Sequence, residues 1–248
     1  MQVNKVIGKD GDYGYTLSQS YYIDTILDEF NMADCQPATT VFAIGVILGS
    51  LNAAKSSFEA DNMAEVPYRA LIGRLSWLAQ CTRPDIAFQV NVLARYSIAP
   101  GRAHWTQAKH VLRYLKHTRD VVLQYQPIEQ LYGYSDSDYA ADPDCRHSTN
   151  GYCFFLGGSA ITWALRLQKV VASSTTEAEY YGLGDASKEA VWLRELLKEL
   201  GFGDRLIADA TVIFGDNQGS LALAKNPAYC QGHAVDGDRR TRFGTVLT

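Results

Sequence analysis

The apolar positions of this chain change period twice, and those changes organise it. Val3 to Ile7 and Tyr15 to Leu17 read as two short strands across a Gly- and Asp-rich turn, Gly8 to Gly14, which predicts a β-hairpin. From Ser18 to Phe30 the period is helical, with Ser18 as cap and Tyr22, Ile26, Leu27 and Phe30 on the apolar side. Gln36 to Glu65 then mixes Pro, Gly, Ser, Asn and Ala without a period, and 41–65 reads as a linker. Three amphipathic helices are predicted next. Val66 to Gln80 carries Leu71, Leu75 and Leu78; Asp85 to Ser97 is opened by Pro84 behind a Thr82 cap; His104 to His117 carries Trp105, Ala108, Leu112 and Leu115. They make a small helical layer.

From Val121 onward apolar and polar residues alternate. Leu131 to Ser135, Gly151 to Leu156 and Ala160 to Leu165 predict an antiparallel meander punctuated by Asp-Pro and Gly-Gly turns. A long helix is predicted from Thr175 to Leu200, ended by Gly201 to Gly203, and then a fourth strand, Thr211 to Phe214, running into Asp216 and a further helix. This order implies an α/β fold, a mixed sheet with helices packed on it. On the long helix Ala178, Gly182, Ala186, Ala190, Leu193, Leu197 and Leu200 form an apolar stripe whose first half is small enough for close packing on a sheet. Ser174-x-x-Glu177 and Thr176-x-x-Glu179 both have the capping-box spacing, and one cap is enough, so one of the two glutamates is free for another task. Glu177 stands one position before the stripe and borders the packed face.

Composition adds limits. The 248 residues, 47% apolar and 11% aromatic, suffice for one large or two small cores. The apolar run Val41 to Leu51 is short and glycine-broken, and Met1 is followed by polar residues, so an intracellular protein without a membrane partner is expected. The 5 cysteines are scattered with no CxxC pair, and Cys145 and His147 have no second pair with which to make a zinc site. A net charge of -4 argues against indiscriminate electrostatic binding of nucleic acid but leaves room for one basic face. Lys109, Arg113 and Lys116, spaced four and three on the third helix of the layer, form such a stripe, read either as a solvated face or as a phosphate contact.

The acids carry the chemistry. Asp136 follows the first strand of the meander, Asp216 follows the fourth strand, and Glu177 lies in the first turn of the helix between them. If the two strands are neighbours, the three carboxylates converge, and their mutual repulsion is relieved by divalent cations. An all-oxygen set suits Mg²⁺ or Mn²⁺, and two such ions about 4 Å apart serve phosphodiester cleavage. Each acid alone is equally compatible with capping a turn or a helix, and Asp138, Asp142 and Asp144 share the loop with Asp136.

YGYSDSDYAADPDC, SSTTEAEYYGLGDASKEAVWLRELL and IFGDNQGSLALAKNP resemble the ribonuclease H domain of the Pol polyprotein of copia-type retrotransposons. YTLSQSYYIDTILDEFNMADCQP resembles the end of that family's reverse transcriptase, and YRALIGRLSWLAQCTRPDIAFQVNVL with HWTQAKHVLRYLKHT resembles the segment joining the two. The resemblance covers Met1 to Tyr229. It implies a reverse transcriptase remnant over 1–40, a helical connection segment over 66–120, and a ribonuclease H-like mixed sheet flanked by helices over 121–248. It further implies Asp136, Glu177 and Asp216 as metal-binding catalytic acids, Gln218 as a contact to the substrate, and the Lys109, Arg113 and Lys116 stripe as a surface tracking its backbone. The implied reaction is hydrolysis, dependent on Mg²⁺ or Mn²⁺, of the RNA strand of an RNA/DNA hybrid, leaving a 3′-hydroxyl and a 5′-phosphate. The implied partners are the hybrid and the rest of the polyprotein, in a cytoplasmic virus-like particle or the nucleus.

The paired aspartates of a polymerase are missing, so no polymerase activity is expected. After Tyr229 the sequence departs from the family, and the final strand and the helix bearing a fourth acid are expected to be absent, with Asp236 and Asp238 as weak substitutes. An open sheet edge left there favours self-association. The alternative is a degenerate or repurposed chain that binds nucleic acid without cleaving it.

Overall fold

The computed structural model describes residues 1–7, 13–127, 130–225 and, as backbone, 241–245. Most of the predicted hairpin turn, and Asp236 and Asp238, lie outside the described residues. The chain divides into two compact units, Met1–Val6 with Tyr15–Leu123, and Ile7–Gly14 with Gln124–Thr248. Among the described residues no helix is long and apolar enough to cross a membrane.

The first unit holds the neighbouring strands β1 (Gln2–Ile7) and β2 (Tyr13–Ser18), then α1 (Ser20–Glu29), α2 (Ser57–Ala64), α3 (Tyr68–Cys81), α4 (Ala87–Arg95) and α5 (Arg102–His117). Leu71, Leu75 and Leu78 of α3, Leu93 of α4 and Ala108, Leu112 and Leu115 of α5 are fully buried together, as helical spacing requires. Two expectations change here. The stretch 41–65 is not an irregular linker: it contains a 3-10 turn (Ser50–Asn52) and α2, capped by the Ser56 hydroxyl, which accepts from the Glu59 amide at 3.1 Å. Leu48 from the same stretch is buried in the helical core. Thr82 does not cap the following helix; its buried hydroxyl donates to Gln19 at 2.7 Å, and Pro84–Ile86 form a 3-10 turn before α4.

The basic stripe of α5 is largely engaged within this unit. Lys116 donates to the carbonyls of Ala33 and Cys35 at 2.6 and 2.8 Å, and Arg113 to that of Gln36 at 2.7 Å. Lys109 lies over the Trp105 ring, 5.6 Å from its centroid. The segment after α1 is thereby fastened along α5.

β3 (Leu123–Tyr125) falls where the units divide, and the second unit continues with β4 (Tyr132–Asp138), β5 (Thr149–Leu156), β6 (Ser159–Leu167), α6 (Thr175–Glu199), α7 (Gly203–Leu206), β7 (Thr211–Gly215), α8 (Gln218–Lys225) and β8 (Thr241–Thr245). The sheet order is β6-β5-β4-β7-β8; β4, β5 and β6 are antiparallel, whereas β7 runs parallel to β4 because α6 carries the chain back across the sheet. This is a ribonuclease H-like mixed sheet flanked by helices. The stripe of α6 packs as its period demands: Ala186, Ala190, Leu193 and Leu197, with the adjoining Leu183, join Leu131, Phe154 and Ile213, and Leu221 and Ala224 of α8. Only Leu200, at the helix end, departs from it and is 60% exposed.

The sheet does not lack a strand beside β7. β8 pairs with β7 in parallel, Thr211 opposite Thr241 through Gly215 opposite Thr245. The open edge on which self-association was expected is therefore occupied, and that argument for an oligomer falls.

Candidate metal centre

Two parallel strands set the first two acids. Tyr134 of β4 is in register with Phe214 of β7, and their rings stack with centroids 5.3 Å apart. Asp136 and Asp216 each stand two residues beyond that pair, so with a side-chain period of two they reach the same level on the same side. Both are exposed.

The third acid comes from α6, and it is Glu179 in place of Glu177. Asp136, Glu179 and Asp216 each offer a carboxylate oxygen, all within 4.8 Å of one another. Glu179 is 7% exposed and accepts from the Ser137 amide at 3.2 Å. Glu177 completes the cap: the Ser174 hydroxyl accepts from its amide at 3.2 Å, while its carboxylate turns back to the Ser173 amide at 2.7 Å and the Ser173 hydroxyl. It also accepts from Tyr181 at 3.2 Å.

The two glutamates flank the apolar stripe on opposite sides, about 200° apart around the helix. Which flank faces β4 is a tertiary fact.

Glycine makes the approach of α6 possible. A Cβ on Gly182 would lie 2.4 Å from Ser137 Oγ and 3.3 Å from Ser135 Oγ, so a larger residue needs Ser137 Oγ to turn away or α6 to lift from β4. The electrostatics match the geometry. Burial, then the charge of Asp136, push Glu179 up to about 7; the Ser137 amide pulls it down, and the charge of Asp216 and a hydrogen bond with Asp136 add smaller upward shifts. Asp138 is also raised, by burial and then by Asp136. Three carboxylates with no sulfur or imidazole among them form a hard oxygen donor set, suited to Mg²⁺ or Mn²⁺. Gln218 is exposed at the first position of α8, two residues after Asp216. Cys145 and His147 are directed elsewhere, to the Asp142 carboxylate at 3.2 Å and the Gln168 carbonyl at 2.7 Å.

No family model matches the chain. It is 41% identical over 216 residues to the retrovirus-related Pol polyprotein from transposon TNT 1-94 of Nicotiana tabacum, covering 86% of this chain and 16% of that one. It is 37% identical over 218 residues to the Pol polyprotein from transposon RE2 of Arabidopsis thaliana, covering 87% and 14%. A third relative, secreted RxLR effector protein 161 of Plasmopara viticola, is 43% identical over 133 residues, which are 53% of this chain and 94% of the effector. Over most of its length the chain is thus homologous to segments of retrovirus-related Pol polyproteins of plant transposons. It spans about one sixth of the length of the Pol polyproteins it matches.

Proposed function

We propose that the second unit of this copia-type Pol segment is a ribonuclease H, hydrolysing the RNA strand of an RNA/DNA hybrid with Mg²⁺ or Mn²⁺. The observation that carries this reading is the convergence of Asp136, Glu179 and Asp216 at the ends of two parallel strands and the start of α6. Divalent cations bound by these three would supply an activated water and neutralise charge developing on the phosphodiester. The protein's own contribution is positional. Asp136 and Asp216 present open carboxylates to solvent, where a bulky duplex can reach them, and Glu179 is held from behind by the Ser137 amide. Gln218 stands at the lip, where an amide can donate to sugar or base edges, and selection of RNA rests on its 2′-hydroxyls across the shallow minor groove. The reading does not depend on the α5 stripe, since Arg113 and Lys116 spend donors on backbone carbonyls.

The test is cleavage of a labelled RNA/DNA hybrid, with duplex DNA and duplex RNA as controls. RNA-strand cleavage that needs Mg²⁺ or Mn²⁺ and disappears in Asp136→Asn is the expected result; a folded, cation-loaded chain that leaves the hybrid intact sinks the reading. The alternative is a chain that binds nucleic acid without cutting it. Retention of hybrid without cleavage is its signature.

A further inference from the structure

We propose that Gln168, which follows β6, is a positioning residue for Glu179, acting through a buried ring of hydrogen bonds. The inference rests on the metal-site reading above and extends it to a residue that makes no contact with the acidic cluster. Gln168 is 6% exposed, and its backbone is fixed at both ends: its amide donates to the Ser148 carbonyl at 2.8 Å, and its carbonyl meets His147 Nδ1 at 2.7 Å. Its side-chain NH₂ uses both hydrogens. One goes to Asn150 Oδ1, and the other to the carbonyl of Ala178, the residue before Glu179, at 3.0 Å.

Asn150 Oδ1 also accepts from Ser137 Oγ at 3.0 Å, and the Ser137 amide donates to Glu179 Oε1 at 3.2 Å. The path leaves the backbone of α6 at Ala178, passes through Gln168, Asn150 and Ser137, and returns to α6 at the Glu179 carboxylate. Asn150 Nδ2 donates onward to Asp185 at 3.2 Å, tying the ring to the next turns of α6. Asn150 and Ser137 are 5% and 8% exposed, so water does not compete for these bonds.

The chemistry requires an amide at 168. Two acceptors converge on one nitrogen, and only an NH₂ with two hydrogens satisfies both. Its Oε1 stays buried without a partner among the described residues, so the orientation of the group is set by what the nitrogen must reach. Gly182 leaves space for the ring, since a Cβ there would lie 2.4 Å from Ser137 Oγ, a member of the ring. Partners behind a ligating carboxylate fix its orientation, and their loss weakens metal binding by about 10- to 100-fold.

The experiment compares the wild-type chain with Gln168→Met, which keeps volume but removes both donors, and with Gln168→Glu, which keeps shape but sets a carboxylate oxygen against two acceptors. Circular dichroism identifies which variants are folded, and either folded variant decides. Two quantities are read: hydrogen exchange of the Ser137 amide without metal, and Mn²⁺ affinity by calorimetry. The proposal expects Ser137 exchange to accelerate and Mn²⁺ affinity to fall about 10-fold or more, with kcat on hybrid reduced and KM unchanged. Wild-type exchange together with wild-type affinity in a folded variant overturns it. If the wild-type chain itself binds no Mn²⁺, the proposed function fails, and Ser137 exchange alone then decides the positioning role.

Discussion

The Glu179 carboxylate sits behind β4 with its Oε1 on the Ser137 amide at 3.2 Å, while its charge faces that of Asp136. Holding a buried acid beside two others raises its affinity for a proton, and this links the site to stability. The folded-state value, about 7, lies above the ordinary 4.5. The folded chain therefore holds the proton more tightly than the unfolded chain, and the associated stability is fully present below about pH 4.5 and is lost as pH rises to about 7. Chemical denaturation without metal at pH 4.5 and pH 7.5 measures it. Wild type loses up to about 3 kcal/mol more over this interval than Glu179→Gln. An identical pH dependence in the two proteins would remove the electrostatic description.

On the proposed function, a divalent cation would replace that proton. Addition of Mg²⁺ at pH 7.5 raises the melting temperature of wild type by mass action, about 2.7 kcal/mol at a hundred times the dissociation constant. Asp216→Asn, which halves the opposing charge of the two exposed acids, gives a smaller rise. An equal rise in both would place the ion elsewhere.

The cap and the centre are separable, although Glu177 and Glu179 stand only two residues apart at the start of α6. Ser174→Ala removes the acceptor for the Glu177 amide and costs about 1 kcal/mol of stability. Mn²⁺ affinity, measured by calorimetry, stays within about twofold of wild type, because Glu179 is held by Ser137 and not by the cap. Gly182→Ala lowers both stability and Mn²⁺ affinity, despite the higher helix propensity of alanine. Its Cβ turns Ser137 Oγ away from Asn150 or lifts α6, costs about 1 to 3 kcal/mol, and weakens Mn²⁺ binding.

In the first unit Arg83 is the corresponding fixed point. Its guanidinium, 1% exposed, pairs with Asp85 at 2.6 Å, donates to Thr118 and lies 5.7 Å from the centre of the Tyr114 ring. Arg83→Met leaves the Thr118 carbonyl and Asp85 without that donor, and denaturant unfolding is expected to register a loss of about 2 to 3 kcal/mol. Asp85 is one-third exposed, which keeps the figure below that for a fully buried pair.

Much of this architecture is legible in hydrophobic period alone. The stripe of α6 up to Leu197 and the Leu71, Leu75 and Leu78 face of α3 bury the residues their spacing marks, whereas in β4 the buried positions are Gly133, Ser135 and Ser137 and Tyr134 is exposed. What period cannot carry is handedness between elements. Glu177 and Glu179 flank one stripe symmetrically, and the choice depends on which side of α6 meets β4. Nor does it see electrostatic ties to backbone: Arg113 and Lys116 read as a free basic face because their partners are carbonyls of 33–36, which have no sequence signature. β8 escaped for a related reason, since five residues gain strand structure from the edge of β7.

The most direct test of the central claim is a side-by-side measurement of hybrid cleavage by Glu179→Gln and Glu177→Gln in Mn²⁺. The account predicts at least a ~100-fold loss of rate in Glu179→Gln and a rate within about threefold of wild type in Glu177→Gln, which gives up only a share of a helix cap. Loss in Glu177→Gln with activity retained in Glu179→Gln, both folded, would contradict the assignment of the centre.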